Sequence, residues 1–177
     1  MTAAIRIGII TASDRSSRGE REDKSGQLLK LLVETLPAEV IAYRILPDEK
    51  EIIKRSLLDM SERFLCDLIF TTGGTGLGPR DVTPEATREV IEKEIPGISE
   101  AIRKSSLKKT KFAVLSRAIA GVRGKTLIIN LPGSPAAAQD AFNVLRPILN
   151  HAIELIRGEV TDCQKLSHSL HSHSSSH

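Results

Sequence analysis

A short apolar run, Leu68-Ile69-Phe70, opens directly into Thr71-Thr72-Gly73-Gly74-Thr75-Gly76-Leu77-Gly78-Pro79-Arg80-Asp81. Thr83-Pro84-Glu85 then reads as a helix start, with the proline in its first turn. A strand that ends in glycines and hands over to a helix is half of a βα unit, and such units build parallel sheets. Three glycines among the six residues Thr71–Gly76 remove side-chain bulk where the chain turns. The loop is not a P-loop, because no Lys-Ser/Thr pair follows the glycines. Nor is it the dinucleotide fingerprint, because Pro79 and Asp81 interrupt the step into the helix. A tight structural turn is the plainer reading of these glycines. Yet the stretch is longer than one turn needs, and backbone N–H groups in such a loop suit a phosphate-bearing ligand.

The rest of the chain repeats the strand-then-helix order. Ile5–Thr11 is β-branched and nearly continuous in apolar character, as expected of a parallel strand covered on both faces. It ends in the polar segment Ser13–Gly19. A helix capped by Asp23 or Ser25 follows, carrying Leu28, Leu29, Leu31, Leu32 and Leu36. Glu39–Leu46 is the second strand. Asp48, with Glu51 three residues on, is a capping-box candidate for a helix burying Ile52, Ile53, Leu57, Met60 and Phe64. Leu65–Thr72 is the third strand. The helix from Thr83 is expected to run to about Pro96, and a short one spans Ile98–Leu107. Phe112–Leu115 reads as a fourth strand, Ser116–Gly124 as an irregular crossing and Thr126–Leu131 as a fifth strand. Ser134 caps the last helix, with Pro135 at its first position, and Pro147 is expected to kink or divide it. Right-handed crossovers bring the loops after Thr11, Thr72 and Leu131 to one carboxyl edge of the sheet, where ligands bind.

Bulk properties narrow the classes. The 177 residues make one domain, expected over 1–158, with a Ser/His-rich extension, 159–177, disordered at its end. Net charge is +3 with the signs interspersed, and 3% aromatic content is too low for a base-stacking platform, so no nucleic-acid partner is expected. The basic stretch Lys104–Lys111 and Lys24 read as solvated surface. No apolar run approaches the roughly 20 residues that span a bilayer, and no signal peptide is recognisable, so the expected compartment is the cytoplasm with no membrane partner. Cys66 and Cys163 are too few for a disulfide scaffold and read as free thiols. Four of the five histidines lie in the tail, and His151 falls off the apolar stripe of its helix. No Ser-His-Asp or Cys-His set is visible.

What remains at the sheet edge is two carboxylates, Asp48 and Asp81, beside a phosphate loop. Such a pair repels phosphates unless a cation lies between them, and Mg²⁺ is hard, oxygen-seeking and commonly shared with substrate phosphates. Simpler readings stand beside this one. Asp48 is a helix cap, Asp81 makes a local turn into Thr83, and Ser13, Asp14, Asp23 and Ser25 are turn and cap residues. Arg80 pairs with a neighbouring acid or with a ligand phosphate. Pro132-Gly133-Ser134 is structural, or else offers unpaired helix-start N–H groups to a phosphate.

Taken together, these residues resemble one family. Thr71–Gly76 continued by Arg80-Asp81-Val82-Thr83-Pro84-Glu85-Ala86-Thr87 is similar to the signature of the MogA/MoaB family of molybdenum cofactor biosynthesis. Ser13-Asp14-Arg15, Asp23-Lys24-Ser25-Gly26, Ser116-Arg117-Ala118 and Asn130-Leu131-Pro132-Gly133-Ser134 resemble its other motifs. The resemblance covers about Ile5 to Arg157 and is strongest toward the adenylyltransferase branch. It implies a three-layer α/β/α fold of the molybdopterin-binding-domain type, with a mostly parallel mixed sheet whose last strand runs antiparallel. It implies a homotrimer. It implies a molybdopterin adenylyltransferase that moves AMP from ATP to the terminal phosphate of molybdopterin, releases pyrophosphate and uses Mg²⁺. The family's two required aspartates fall on Asp48 and Asp81, which would also hold the metal. Ser13, Asp14, Asp23, Ser25, Thr72, Gly73, Gly74, Thr75, Gly76, Arg80, Pro132, Gly133 and Ser134 would bind the pterin and nucleotide. Hand-over of product to a molybdate-insertion protein is implied as well. The family also holds members that bind the pterin without adenylylating it, and here both aspartates are present, favouring the active form.

Overall fold

A computed structural model describes residues 4–159. Cys163 and the Ser/His-rich tail lie outside the described residues. Six strands form one sheet: β1 (Ile5–Ala12), β2 (Ala38–Leu46), β3 (Leu68–Thr72), β4 (Lys93–Glu94), β5 (Ala120–Arg123) and β6 (Thr126–Leu131). Their spatial order is β2-β1-β3-β6-β5-β4. The pairs β1/β2, β1/β3 and β3/β6 are parallel, whereas β5/β6 and β4/β5 are antiparallel. The strand that runs against the rest is therefore β5. The last strand, β6, lies parallel to β3 in the middle of the sheet, which corrects the expectation of an antiparallel final strand.

Strand periodicity sorts the core into two layers. Ile5, Ile7 and Ile9 of β1, Leu68 and Phe70 of β3, and Leu127, Ile129 and Leu131 of β6 point to one face. Helices α2 (Lys24–Val33), α5 (Pro96–Leu107) and α6 (Pro135–Arg157) cover that face, burying Leu29, Val33, Ile98, Ile102, Phe142, Leu145 and Leu149. Phe70 meets Phe142 with ring centroids 5.9 Å apart and planes tilted by 59°. Ile10, Ala12, Ile69 and Ile128 point to the other face. There, α3 (Lys50–Glu62) and α4 (Thr83–Arg88) bury Ile53, Leu57, Met60 and Ala86. A sixth helix, α1 (Asp14–Ser17), is a single turn at the carboxyl end of β1. The result is the expected three-layer α/β/α domain.

Several local expectations change. Phe112–Leu115 is not a strand but part of a 3₁₀ turn, Lys111–Leu115, and Phe112 and Val114 are 66% and 63% exposed. A short apolar run carries no periodicity that separates strand from turn, and this one meets no ladder partner among the described residues. The ladder forms instead at Ala120–Arg123, within the segment expected to be irregular. α4 stops at Arg88, and β4 then pairs with β5 before Pro96. α6 runs through Pro147 as one helix and ends on Gly158 in the left-handed conformation, φ 79°. Leu31 and Phe64, expected inside, are 61% and 36% exposed. Cys66 is buried as expected, and burial pushes its thiol up to about 11.

Candidate functional site

The strand order places a topological switch between β1 and β3, because the chain leaves β1 toward β2 on one side and returns as β3 on the other. A cavity of 330 Å³ opens at that switch. Its walls are the carboxyl end of β1 (Thr11 to Ser13), the segment Arg21–Ser25, the end of β3 (Thr72, Gly73) and the start of α6 (Gly133 to Pro135). Of the residues expected to bind substrate, Ser13, Asp23, Ser25, Thr72, Gly73, Gly133 and Ser134 line this space. Thr75, Gly76 and Pro132 line a second, largely apolar cavity of 290 Å³ with Ile102, Phe112 and Leu115. The two cavities meet at Gly133. A Cβ there would come within 3.1 Å of the Gly73 Cα, so the partition depends on two glycines in contact.

The glycine loop holds its carbonyls and leaves its amides available. Thr83 N donates to Gly74 O (3.1 Å), Arg117 N to Thr75 O (2.9 Å) and Asp81 N to Gly78 O (3.0 Å). The Arg117 guanidinium donates to Gly76 O (2.7 Å) and Asp81 O (2.6 Å) and pairs with Glu85. The amides of Gly74, Thr75 and Gly76 find no protein acceptor among the described residues. A loop with its carbonyls tied back and its N–H groups unpaired is an anion cradle. Gly73 and Gly74 have φ of 92° and 66°, conformations that favour glycine. Arg117 is the residue that reading the loop by itself misses. It lies 41 positions from Gly76, and only its place in the Ser116-Arg117-Ala118 motif marked it.

Neither aspartate makes the local contact read for it: Asp48 does not cap α3, and Asp81 does not turn into Thr83. The residue before α3 is Glu49, without a side-chain cap, and Asp48 is directed instead to the β1 loop. The Asp14 amide donates to Asp48 Oδ2 (2.9 Å), and the Asp48 amide donates to Asp14 Oδ1 (3.0 Å). Arg80 donates through Nε and Nη2 to both oxygens of Asp14, at 3.0 and 2.9 Å, which places Arg80 on a neighbouring acid. Asp81 turns back rather than forward into Thr83, its Oδ2 accepting from Gly78 N at 2.8 Å. The Arg80 guanidinium, and then the Asp48 amide, hold the Asp14 carboxyl below its usual range. Asp48 goes the other way: burial raises it, and the charges of Asp14 and Asp81 add to the rise. A carboxylate crowded by like charges is one that a cation stabilises.

The donor set fits an oxygen-ligated cation. Thr83 Oγ1 is buried with no hydrogen-bond partner among the described residues. It approaches Gly74, where a Cβ would lie 2.4 Å from it and 3.2 Å from Asp48 Oδ1. Among the described residues no three His, Cys, Asp or Glu side chains converge on one point. A cation here would therefore be completed by water and substrate oxygens, which is the habit of Mg²⁺.

Asp23 and Ser134 serve the framework as well as the wall. Asp23 is 6% exposed, and its carboxylate accepts from Thr11 Oγ1 (2.6 Å), Gly26 N (2.9 Å), Ser25 Oγ (3.3 Å) and the Tyr43 hydroxyl. With these partners it caps α2 and fixes the cavity wall. Burial, with the bond to Asp23, pushes the Tyr43 hydroxyl up. Ser134 Oγ accepts from Ala137 N (3.3 Å) as the cap of α6, and Thr72 Oγ1 donates to Pro132 O (2.8 Å). Below the loop, buried Asn130 donates to Thr71 and Thr87 at 2.9 Å each, tying β3, β6 and α4 together. Lys24 is exposed, as expected of a surface residue.

Known proteins share this arrangement. The family model described as "Probable molybdopterin binding domain" matches residues 8–151. A molybdopterin adenylyltransferase of Helicobacter pylori is 45% identical over 157 residues, covering 87% of this chain and 89% of that protein. The crystal structure of the molybdopterin biosynthesis enzyme MoaB from Thermus thermophilus is similar, with a TM-score of 0.83 at 49% identity, over 87% of this chain and 97% of that one. The molybdopterin biosynthesis Mog protein of Mycobacterium ulcerans follows, with a TM-score of 0.82 at 38% identity, over 86% and 99%. No helix among the described residues is long and apolar enough to cross a membrane. The sequence motifs, the switch-point cavity and these relatives lead to one conclusion: the chain belongs to the molybdopterin-binding domain family of molybdenum cofactor biosynthesis.

Proposed function

We propose that the protein is a molybdopterin adenylyltransferase, transferring AMP from ATP to the terminal phosphate of molybdopterin. The observation that carries the reading is the pairing of an amide-presenting glycine loop with Asp48 and Asp81 at one sheet edge. The relatives named for this activity support it. A phosphate oxygen of molybdopterin attacks the α-phosphorus of ATP. A new P–O bond forms, the α–β bridging P–O bond breaks, and pyrophosphate leaves with the electron pair. The attacking group is already anionic, so no catalytic base is required.

Asp48 and Asp81 would hold Mg²⁺, which when bound neutralises charge on the triphosphate and the departing pyrophosphate. The chain's own groups do the rest. The amides of Gly74, Thr75 and Gly76 fix the phosphates, and Arg117 keeps the neighbouring carbonyls turned away from them. The polar cavity, with Ser13, Ser25 and Ser134, suits the anionic parts, and the apolar one suits a planar heterocycle. We further propose a homotrimer, supported by the family resemblance and by the exposed apolar Phe112, Val114 and Leu115. The proposed compartment is the cytoplasm, which supplies ATP and keeps thiols such as Cys66 reduced. The proposed recipient of the product is a molybdate-insertion protein.

The test is to supply molybdopterin, ATP and Mg²⁺ and to look for adenylylated pterin and pyrophosphate. Asp81→Asn should lower turnover by about 10²-fold or more while leaving pterin affinity nearly unchanged. Full turnover in that variant would remove Asp81 from the mechanism. Pterin binding by the wild type without any product would make it a silent binding protein of the same family.

A further inference from the structure

We propose that Asp14 is a positioning residue rather than a substrate ligand: it locks Asp48 and Arg80 into one rigid assembly across three loops. The inference rests on the adenylyl-transfer reading and deepens it.

Both oxygens of Asp14 are committed. Oδ1 accepts from the Asp48 amide (3.0 Å) and Arg80 Nη2 (2.9 Å), and Oδ2 accepts from Arg80 Nε (3.0 Å). Its own amide donates to Asp48 Oδ2 (2.9 Å). Asp14 and Asp48 therefore grip each other twice, backbone to carboxylate in both directions, although 34 positions separate them. Arg80, 66 positions from Asp14, closes the third side from the rim of the glycine loop. The geometry fixes one oxygen of Asp48 and so directs the other, Oδ1, toward Gly74. A carboxylate tethered at one oxygen loses rotamer freedom before ligand arrives, which is pre-organisation. The Asp14 side chain is 25% exposed and the Arg80 side chain 58%, so the pair screens the Asp48 side of the assembly while Arg80 remains at the surface.

Two substitutions separate this role from substrate binding. Asp14→Asn keeps an Oδ1 acceptor for the Asp48 amide. Asp14→Ala removes that acceptor and the Arg80 partner but keeps the main-chain N–H that holds Asp48 Oδ2, so it tests the side-chain half of the clasp, which sets where the Asp48 backbone sits. Amide hydrogen exchange on the free full-length protein reads the tether directly. In Asp14→Ala the Asp48 amide should exchange about tenfold faster, the loss expected of one hydrogen bond, and Asp14→Asn should restore most of the protection. Asp48→Ala is the reciprocal check, releasing the Asp14 amide. With molybdopterin, ATP and Mg²⁺, Asp14→Ala should lose about 10²-fold in kcat with KM for ATP changed by less than about threefold, and Asp14→Asn should recover most of kcat. Unchanged Asp48 exchange in Asp14→Ala overturns the proposal. So does a rise in KM that tracks the fall in kcat in both variants, which would make Asp14 a substrate contact. A wild-type protein that binds pterin without product would instead remove the adenylyl-transfer reading, and with it the catalytic use of a tether that exchange still detects.

Discussion

Replacing Arg117 by alanine should loosen the glycine loop and weaken anion binding together. The guanidinium makes two hydrogen bonds to loop carbonyls, at 2.7 and 2.6 Å, and one ion pair with Glu85. A fully buried bond to a charged donor contributes about 1.5–3 kcal/mol. Arg117 is 34% exposed, so about 1 kcal/mol per carbonyl is the appropriate scale. The Glu85 side chain is 46% exposed, and its pairing adds about 0.5 kcal/mol at most. The expected loss is about 2 kcal/mol, or about 4–8 °C in Tm for a domain of this size. Calorimetry and urea unfolding measure it. The functional effect has its own cause: once Gly76 O is released, that peptide can rotate and turn a carbonyl toward the bound phosphate. ATP affinity should fall by about tenfold, and exchange at the Thr83 and residue-117 amides, which donate to Gly74 O and Thr75 O, should rise. Arg117→Lys keeps the charge but not the fork and should recover less than half of either loss. An Arg117→Ala protein with unchanged Tm and unchanged ATP affinity would refute the clamp.

Other outcomes follow from single features. Gly73→Ala places a Cβ 2.3 Å from Ala12 O at a φ of 92°, so it should destabilise by about 2 kcal/mol or more and close the switch-point cavity, read by unfolding and ATP titration. The raised Asp48 carboxyl binds its proton more tightly when folded, so it adds stability at low pH and loses that contribution as pH rises. Asp48→Asn should accordingly be at least as stable as wild type near neutral pH while losing turnover, measured by paired melting and activity assays. In the wild type the acid limb of the rate profile should lie above the ordinary aspartate value and move to lower pH as Mg²⁺ is raised. Cys66, buried with its thiol near 11, should resist iodoacetamide in a Cys163→Ser background until the fold is opened.

The parts of this fold that are legible in the sequence are those whose signal is local. Ile5–Thr11 and Thr126–Leu131 announce buried parallel strands, because apolar β-branched runs leave few alternatives. Asp23 and Ser134 announce helix starts, because a cap needs only the next three residues. Edge pairing is not local. Ala120–Arg123 is a strand because Thr126–Leu131 lies beside it, and Phe112–Leu115, the more strand-like segment in composition, has no such neighbour. The same division runs through the site.

By itself the sequence determined the inventory: a glycine loop behind a strand, two aspartates at loop–helix junctions, and a last helix capped by Ser134. Each of these depends on residues within a few positions of one another. The tertiary structure decided how they act. It paired Asp48 with Asp14 instead of with its own helix, set Arg80 on Asp14, and brought Arg117 across 41 positions to hold the loop's carbonyls. It also put Gly133 against Gly73, at the point where two cavities meet. Those contacts join segments that only the sheet order brings together, and hydrogen-bond geometry between distant segments leaves no pattern in a single chain to be read beforehand.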